Sequence, residues 1–373
     1  MIRSAVFTLA LAAASGAALA QGVTDTQIVL GQSVALTGPA QQLGKDMQLG
    51  ASLYFNVVNA KGGVNGRRIV LKTLDDGYES NRAAENTRKL VNEEKVFALF
   101  GYVGTPTSAA SLPIFTEAKV PFVGPFTGAE LLRTPLNRYI FNVRASYYDE
   151  TEAIVQHLTA MSVDKIAVFY QNDAYGQAGL AGVERALAKR KLQVAAKGTV
   201  ERNTVEVAKA VADIRKAEPQ AVVMISAYKS CAAFIKEMKR AGSDPTFWNV
   251  SFVGSKALAA ELDKEGRGVQ ISQVVPFPWD SSVPVVKEYR KLLDTAKAEP
   301  GFGTLEGYIA AKVMVEGLRR AGRNLTRESF IRAMETLDPY DVGGFKVSYG
   351  PNDHNGSKFV DLTIISRNQK FVR

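Results

Sequence analysis

Val96-Phe97-Ala98-Leu99-Phe100-Gly101-Tyr102-Val103-Gly104-Thr105-Pro106-Thr107-Ser108 is an apolar run that stops at glycine and restarts as a hydroxyl-rich helix opening. Val96–Phe100 is short, apolar and rich in β-formers, which reads as a buried parallel strand. Thr105 suits an N-cap and Pro106 the first helical position, with Ser108 adding a further hydroxyl. A helix that opens just past the carboxyl end of a strand offers free N–H groups and a positive dipole end, the makings of a carboxylate or phosphate site. An ordinary capped helix, common to every α/β protein, fits the same residues.

Outward from this stretch, strands and helices alternate. Strands are expected at Gln27–Ala35, Arg68–Leu74, Val96–Phe100 and Pro121–Gly124, with helices at Gln41–Asn59, Asn81–Glu93, Pro106–Ala118 and Tyr148–Met161. A second series runs through strands Lys165–Tyr170, Val194–Thr199, Ala221–Ile225 and Phe247–Phe252. Its helices are Tyr175–Lys189, Val205–Lys216, Lys229–Arg240 and a short one from Lys256. Helices at Val283–Lys297, Leu305–Ala321 and Arg327–Thr336 follow, then β-like Gly344–Ser348 and Phe359–Ile365. Two consecutive series predict an α/β chain of two doubly wound parallel-sheet lobes, with a ligand cleft where the carboxyl ends of the strands face each other. Asn137–Ser146 joins the series without a Gly/Ser-rich linker and reads as a short, defined hinge. The expected lobes are 21–142 plus 277–340, and 143–276 plus 341–373.

The N-terminus carries Arg3, an apolar Ala5–Ala14 stretch and the small residues Ala18 and Ala20, the pattern of a secretory signal peptide (1–20) cut after Ala20. No later stretch approaches the roughly 20 apolar residues of a membrane span. The expectation is an exported, soluble protein in a Gram-negative periplasm. Cys231 is the only cysteine, so no intrachain disulfide forms, and its neighbours Ala232, Ala233, Phe234 and Ile235 suggest a buried helical thiol. The formal charge of +9 is spread along helices without interleaved aromatics, which argues against a nucleic-acid partner.

Catalytic constellations are missing. The two histidines, His157 and His354, lie far apart without metal-ligand partners at helical spacing, and no HExxH, G-x-S-x-G or Walker A motif occurs. Gly301-Phe302-Gly303 lacks the third glycine of a dinucleotide loop, and Glu306 stands in its place. Asp75-Asp76-Gly77 lacks calcium-loop spacing and reads as a strand end capping the next turn. No enzyme activity, cofactor or metal is expected.

Several motifs resemble a known family. Ile28–Leu36 followed by Thr37-Gly38-Pro39 and Gly44, and the turn Asn59-Ala60-Lys61-Gly62-Gly63-Val64-Asn65-Gly66, are similar to the opening of leucine/isoleucine/valine-binding proteins. Asp75-Asp76, Gly101–Ser108, Pro121-Phe122-Val123-Gly124-Pro125, Asp173-Ala174-Tyr175-Gly176-Gln177 and Tyr228 follow at the family's spacing. The likeness covers nearly all of the chain after residue 20 and implies a type I periplasmic binding protein. Such a protein is the solute receptor of an ABC importer, closing by hinge motion over a branched-chain amino acid or a related small carboxylate and presenting it to the permease subunits; a monomer is the default.

The resemblance implies a carboxylate site at Thr105, with further contacts at Phe126, Thr127 and Gly128 and aromatic contacts at Tyr175 and Tyr228. In plainer readings Tyr175 simply opens its helix and Tyr228 packs between lobes. The departures matter as much. A small disulfide of the family would join the positions of Tyr78 and Gly104, and a first-lobe aromatic is replaced by Leu43. The acid that holds the ligand's ammonium aligns with Ser251, and a second acidic position falls on Tyr147. An unpaired buried ammonium is costly. Either Glu306 or Asp149 substitutes, or the ligand is an aromatic or aliphatic carboxylate, or an amide, without an ammonium group; in a plainer reading Glu306 faces solvent. A freestanding sensor subunit for a membrane signalling protein fits the same two lobes.

Overall fold

The computed structural model describes residues 20–373, so the expected signal peptide, Ala20 apart, lies outside the described residues. The chain opens with β1 (Gln27–Val34), α1 (Gln41–Ala60), β2 (Arg68–Asp75), α2 (Ser80–Arg88), β3 (Ala98–Phe100), α3 (Thr105–Glu117), β4 (Phe122–Val123) and β5 (Ile140–Phe141). These strands form one wholly parallel sheet in the order β2-β1-β3-β4-β5. Leu30 and Ala98 to Phe100 are completely buried, as strands covered by helices on both faces require.

The second series is α4 (Tyr147–Ala160), β6 (Ile166–Gln171), α5 (Ala174–Ala188), β7 (Lys197–Val200), α6 (Ala208–Arg215), β8 (Ala221–Ile225), α7 (Tyr228–Arg240), β9 (Thr246–Asn249), α8 (Ser255–Leu262) and β10 (Gln270–Gln273). Its parallel strands run β7-β6-β8-β9-β10, the same winding as the first sheet. The chain continues with α9 (Pro284–Ala296), α10 (Phe302–Ala321), α11 (Arg327–Met334), the small antiparallel pair β11 (Tyr340–Asp341) and β12 (Lys346–Val347), then β13 (Asp361–Ile365) and β14 (Phe371–Val372). β13 and β14 join the second sheet antiparallel, so that sheet is mixed at one edge rather than purely parallel.

Other differences from the sequence reading have local causes. The helix expected over Asn81–Glu93 is α-helical only to Arg88 and finishes as a π-turn at Lys89–Glu93. The strand expected to reach Phe252 ends at Asn249, because the Ser251 amide turns to the Glu150 carboxylate, 2.7 Å away, and Ser251–Val253 form a 3₁₀ turn. Residues 341–349 do not join the second sheet where that lobe was expected to resume. The Val285 amide bonds Gly343, the Tyr349 amide bonds Leu337, and the chain reaches the second sheet only at Asp361.

Three segments cross between the sheets, through residues 142–146, 274–283 and 350–360. Two run side by side: the Asn142 amide bonds His354 O at 2.9 Å and the Gly356 amide bonds Asn142 O at 2.8 Å. α10, almost entirely buried, crosses α1 at very close range. A Cβ built on Gly50 would lie 1.9 Å from the Thr304 carbonyl oxygen, and one on Gly307 would lie 2.5 Å from that of Met47. Glycine inside a helix costs about 1 kcal/mol relative to alanine, and here contact between helix backbones offsets it. Gly50→Ala is expected to reverse that balance and destabilise the fold by about 1–3 kcal/mol through overpacking, read by chemical denaturation.

Candidate functional site

In doubly wound sheets, ligands sit beyond the carboxyl ends of the strands where the winding reverses. In the first sheet that point lies between β1 and β3, and it places Leu43 on α1 and Thr105 at the start of α3. In the second it lies between β6 and β8, and it places Tyr175 on α5 and Tyr228 at the start of α7. Thr105 is the first residue of α3 and not its cap. The cap position is Gly104, whose φ of 107° only glycine adopts readily, and no side chain caps this helix. The Thr105 hydroxyl instead meets the Thr127 hydroxyl at 2.6 Å. Thr127 also donates to the Tyr147 hydroxyl at 3.3 Å, and the Tyr147 amide bonds Gly128 O at 2.7 Å.

Aromatic rings from the second lobe close over this group. Phe252 lies 4.6 Å from Tyr175, 5.6 Å from Phe126 and 5.9 Å from Tyr78, centroid to centroid. Tyr78 and Gly104 do meet: the ring packs so tightly over the glycine that a Cβ there would be 2.3 Å from it. Buried and without hydrogen-bond partners are the Tyr175 hydroxyl and, on α3, that of Ser108.

Beside this cluster lies a buried charge group. The guanidinium of Arg144 is 1% exposed; its Nη2 bonds Glu150 at 3.0 Å and also the Ser251 hydroxyl, while its Nη1 is 3.4 Å from Glu306. Glu150 accepts in addition from the Ser251 amide at 2.7 Å, the Ser251 hydroxyl at 3.0 Å and Ser272 at 2.6 Å. Phe126 and Tyr147 present their rings to the guanidinium at 5.2 and 5.8 Å. Arg133 braces the turn behind it with bonds to the carbonyls of Arg144 and Ala145. Burial works against the charged form of Arg144, but Glu306 and Glu150 outweigh it and hold the group protonated. Burial pushes the Glu306 carboxyl up to about 7, with Arg144 pulling the other way and Glu150 adding to the rise.

Leu43, Phe126, Ser251 and Glu306 line a cavity of about 10 Å³ between the lobes, with Asp46, Gln273, Val275, Phe302 and Lys256 among its other walls. That is room for about one water, so a solute needs the lobes to part. Burial also lifts Asp46, to about 6. Thr105, Thr127, Gly128, Tyr147 and Tyr175 adjoin the cavity's Phe126 wall rather than lining it, and Tyr228 faces an outer groove with Gln41, Gln42 and Lys45. Across the mouth, Arg202 bonds Glu79 at 2.9 Å and Asn203 bonds Glu79 at 2.6 Å, tying the loop after β7 to the start of α2.

The sequence reading missed Arg144, Glu150, Asp46 and Phe252. Its available signal was a charged residue inside the apolar hinge Val143-Arg144-Ala145. Asp149, the acid it weighed, is bound in a capping box with Ser146; Glu150, one residue on, points inward. Glu306, for which solvent was the alternative, is 5% exposed. Cys231 is buried on α7, and Asp75 closes the turn after β2 by accepting from the Leu36, Thr37 and Gly77 amides.

A family model described as Periplasmic binding protein matches residues 27–368. The Leu/Ile/Val-binding protein homolog 7 of Brucella abortus (strain 2308) is 26% identical over 361 residues, covering 91% of this chain and 89% of that protein. Among solved structures, a possible leucine/isoleucine/valine-binding protein from Rhodopirellula baltica SH 1 superposes with a TM-score of 0.89 at 35% identity, covering 94% of this chain and 97% of that one. A substrate-binding periplasmic protein from Ralstonia solanacearum gives 0.88 at 31%, covering 93% and 99%.

Two measurements test the charge group. Glu150→Ala removes the hydrogen-bonded carboxylate from a buried guanidinium, leaving only the longer contact to Glu306, and is expected to cost about 3 kcal/mol in chemical denaturation. Asp149→Ala removes only part of a helix cap and should cost about 1 kcal/mol. The second concerns pH. Glu306 titrates at about 7 in the fold against 4.5 unfolded, so the folded protein holds the extra proton. Its contribution is therefore full below pH 4.5 and is lost as pH rises through about 7, on the order of 3 kcal/mol in all. Asp46 and Asp76, each raised to about 6 by burial, act in the same sense. The melting temperature should fall between pH 5.5 and 7.5, and Glu306→Gln should flatten that slope.

Proposed function

We propose, from the premise that the chain belongs to the periplasmic binding protein family, that it is the solute receptor of an ABC importer. It binds a small carboxylate-bearing solute, a branched-chain amino acid or a related acid, between its lobes and presents the closed form to a membrane permease. It is a binding protein and not an enzyme. It acts after export to the periplasm and cleavage after Ala20.

The observation that carries this reading is the matched winding of the two sheets, whose reversal points both open on one cleft. Leu43 and Thr105 come from one side, and Tyr175, Tyr228 and Ser251 from the other. Polar groups sit beside apolar walls there, as solute recognition requires. Hinge closure suits the same geometry: three segments of chain cross between the lobes, and bonds such as Arg202–Glu79 join the lobes across the mouth. Thr105 with the α3 N-terminus, and Arg144, both beside the cavity, are groups suited to hold a carboxylate once the lobes part, and Lys256 lines the same cavity.

The test is a thermal-shift screen of the chain from Gln21 against amino acids, their deaminated analogues and aromatic acids. At least one compound should raise the melting temperature by mass action and compact the protein in solution scattering. Tyr175→Ala should lose that compaction. A screen with no hit, or a hit without compaction, overturns the reading.

A further inference from the structure

We propose that Arg144 anchors the solute's carboxylate and that Glu306 takes up a proton as the carboxylate binds, which selects an acid carrying no ammonium group. This rests on the receptor reading above and narrows it to one pole of the cleft and one ligand class.

Of the nitrogens of Arg144, only Nη2 is spoken for. Nε and Nη1 are buried without hydrogen-bond partners among the described residues, and the 3.4 Å gap from Nη1 to Glu306 exceeds a good N–H···O bond. Buried donors left unpaired are rare and costly. Phe126 and Tyr147 fix the guanidinium from its faces, so it is held in place for a partner. Phe126, Ser251 and Glu306, each in contact with Arg144, line the interlobe cavity, so the guanidinium lies directly behind its wall.

Charge balance decides what the partner is. Arg144 and Glu150 already neutralise each other, and Glu150 is saturated by four donors. Glu306 accepts no hydrogen bond. A solute carboxylate arriving at Arg144 would make a third carboxylate around one guanidinium, so one of them must be protonated. Glu306, whose carboxyl burial raises to about 7, has the fewest partners of the three. Protonated, it donates an O–H to the incoming carboxylate, a short charge-assisted bond. An ammonium in the same place would meet the guanidinium head-on. The charged groups facing Glu306 are Arg144 at the hinge, Glu150 from α4 and Arg133 behind the hinge, while Asp46 from α1 and Lys256 from α8 line the same cavity.

The experiment is calorimetric titration of the chain from Gln21 with 4-methylpentanoate and benzoate, and with leucine, the ammonium-bearing counterpart of the first. At least one acid should bind more tightly than leucine. Its affinity should fall about tenfold from pH 6 to pH 8, with proton uptake seen in buffers of different ionisation enthalpy. Glu306→Gln should abolish both the pH dependence and the proton uptake. Arg144→Lys should weaken the acid at least tenfold and by more than Thr105→Ala; if Arg144→Lys does not fold, the Glu306→Gln titration decides. Tighter binding of leucine, pH dependence surviving in Glu306→Gln, or a larger loss from Thr105→Ala overturns the proposal and leaves the receptor reading standing. Failure of both acids to bind also overturns it, and the broader screen then decides the receptor reading separately.

Discussion

A guanidinium taken out of water sets terms that its whole surroundings must meet. Arg144 sits where the chain first crosses from one lobe to the other, and it is shut off from solvent. The idealised desolvation of such an ion is so large that only close counter-charge makes it tolerable. Glu150 on α4 supplies the charge, and that carboxylate in turn draws in Ser272 from β10 and both polar groups of Ser251. The end of β9 is thus set by electrostatics, since the amide that would continue the strand is bound to Glu150. The 3₁₀ turn that follows carries Phe252 into the aromatic group above α3. One buried ion pair therefore links hinge, second sheet and cleft.

Repetition of topology explains why the cleft lies where it does. Each sheet starts in its middle, winds one way and then reverses, leaving a notch at the carboxyl ends of its central strands. The crossings at 142–146, 274–283 and 350–360 turn the two notches toward each other. The elements that line the gap are helix starts and short turns, whose backbone groups are free to face a solute. The helices behind them, above all α10 against α1, are packed backbone to backbone and form the rigid part of the first lobe.

Legibility in the sequence followed the range of the forces involved. Strands with apolar runs, such as Ala221–Ile225, and helices with apolar periodicity, such as Lys229–Arg240, could be read directly because burial leaves its pattern in the residues themselves. The pieces that escaped are short or set by distant partners. β5 and β14 have two residues each, too few for periodicity, and β10 mixes Ser272 and Gln273 into a buried strand. The proximity of Tyr78 and Gly104 came through the resemblance and not from any local signal. In the cleft, Ser251 and Glu306 were visible as departures from a pattern, but Arg144 and Glu150 were not, because their meaning lies in contacts between elements.

The same charge group gives the cleft its chemical character. Ser251 and Tyr147, at the two positions where the resemblance led to acids, carry no charge, yet the region is not neutral. Glu150 bonds Ser251, Glu306 lines the same cavity as Ser251, and Arg144 pairs with both acids. The acids here stand on two helices, α4 and α10, with a guanidinium beside them. Because Glu150 is fully occupied, it acts as a fixed counter-ion, whereas Glu306 is held only by a long contact and titrates near neutrality. A pole built of a fixed pair and one titrating acid responds to the charge a solute brings, whereas a single fixed carboxylate only attracts a cation. With the solute's carboxylate anchored at Arg144 as proposed, discrimination follows from which protonation state of Glu306 each solute requires.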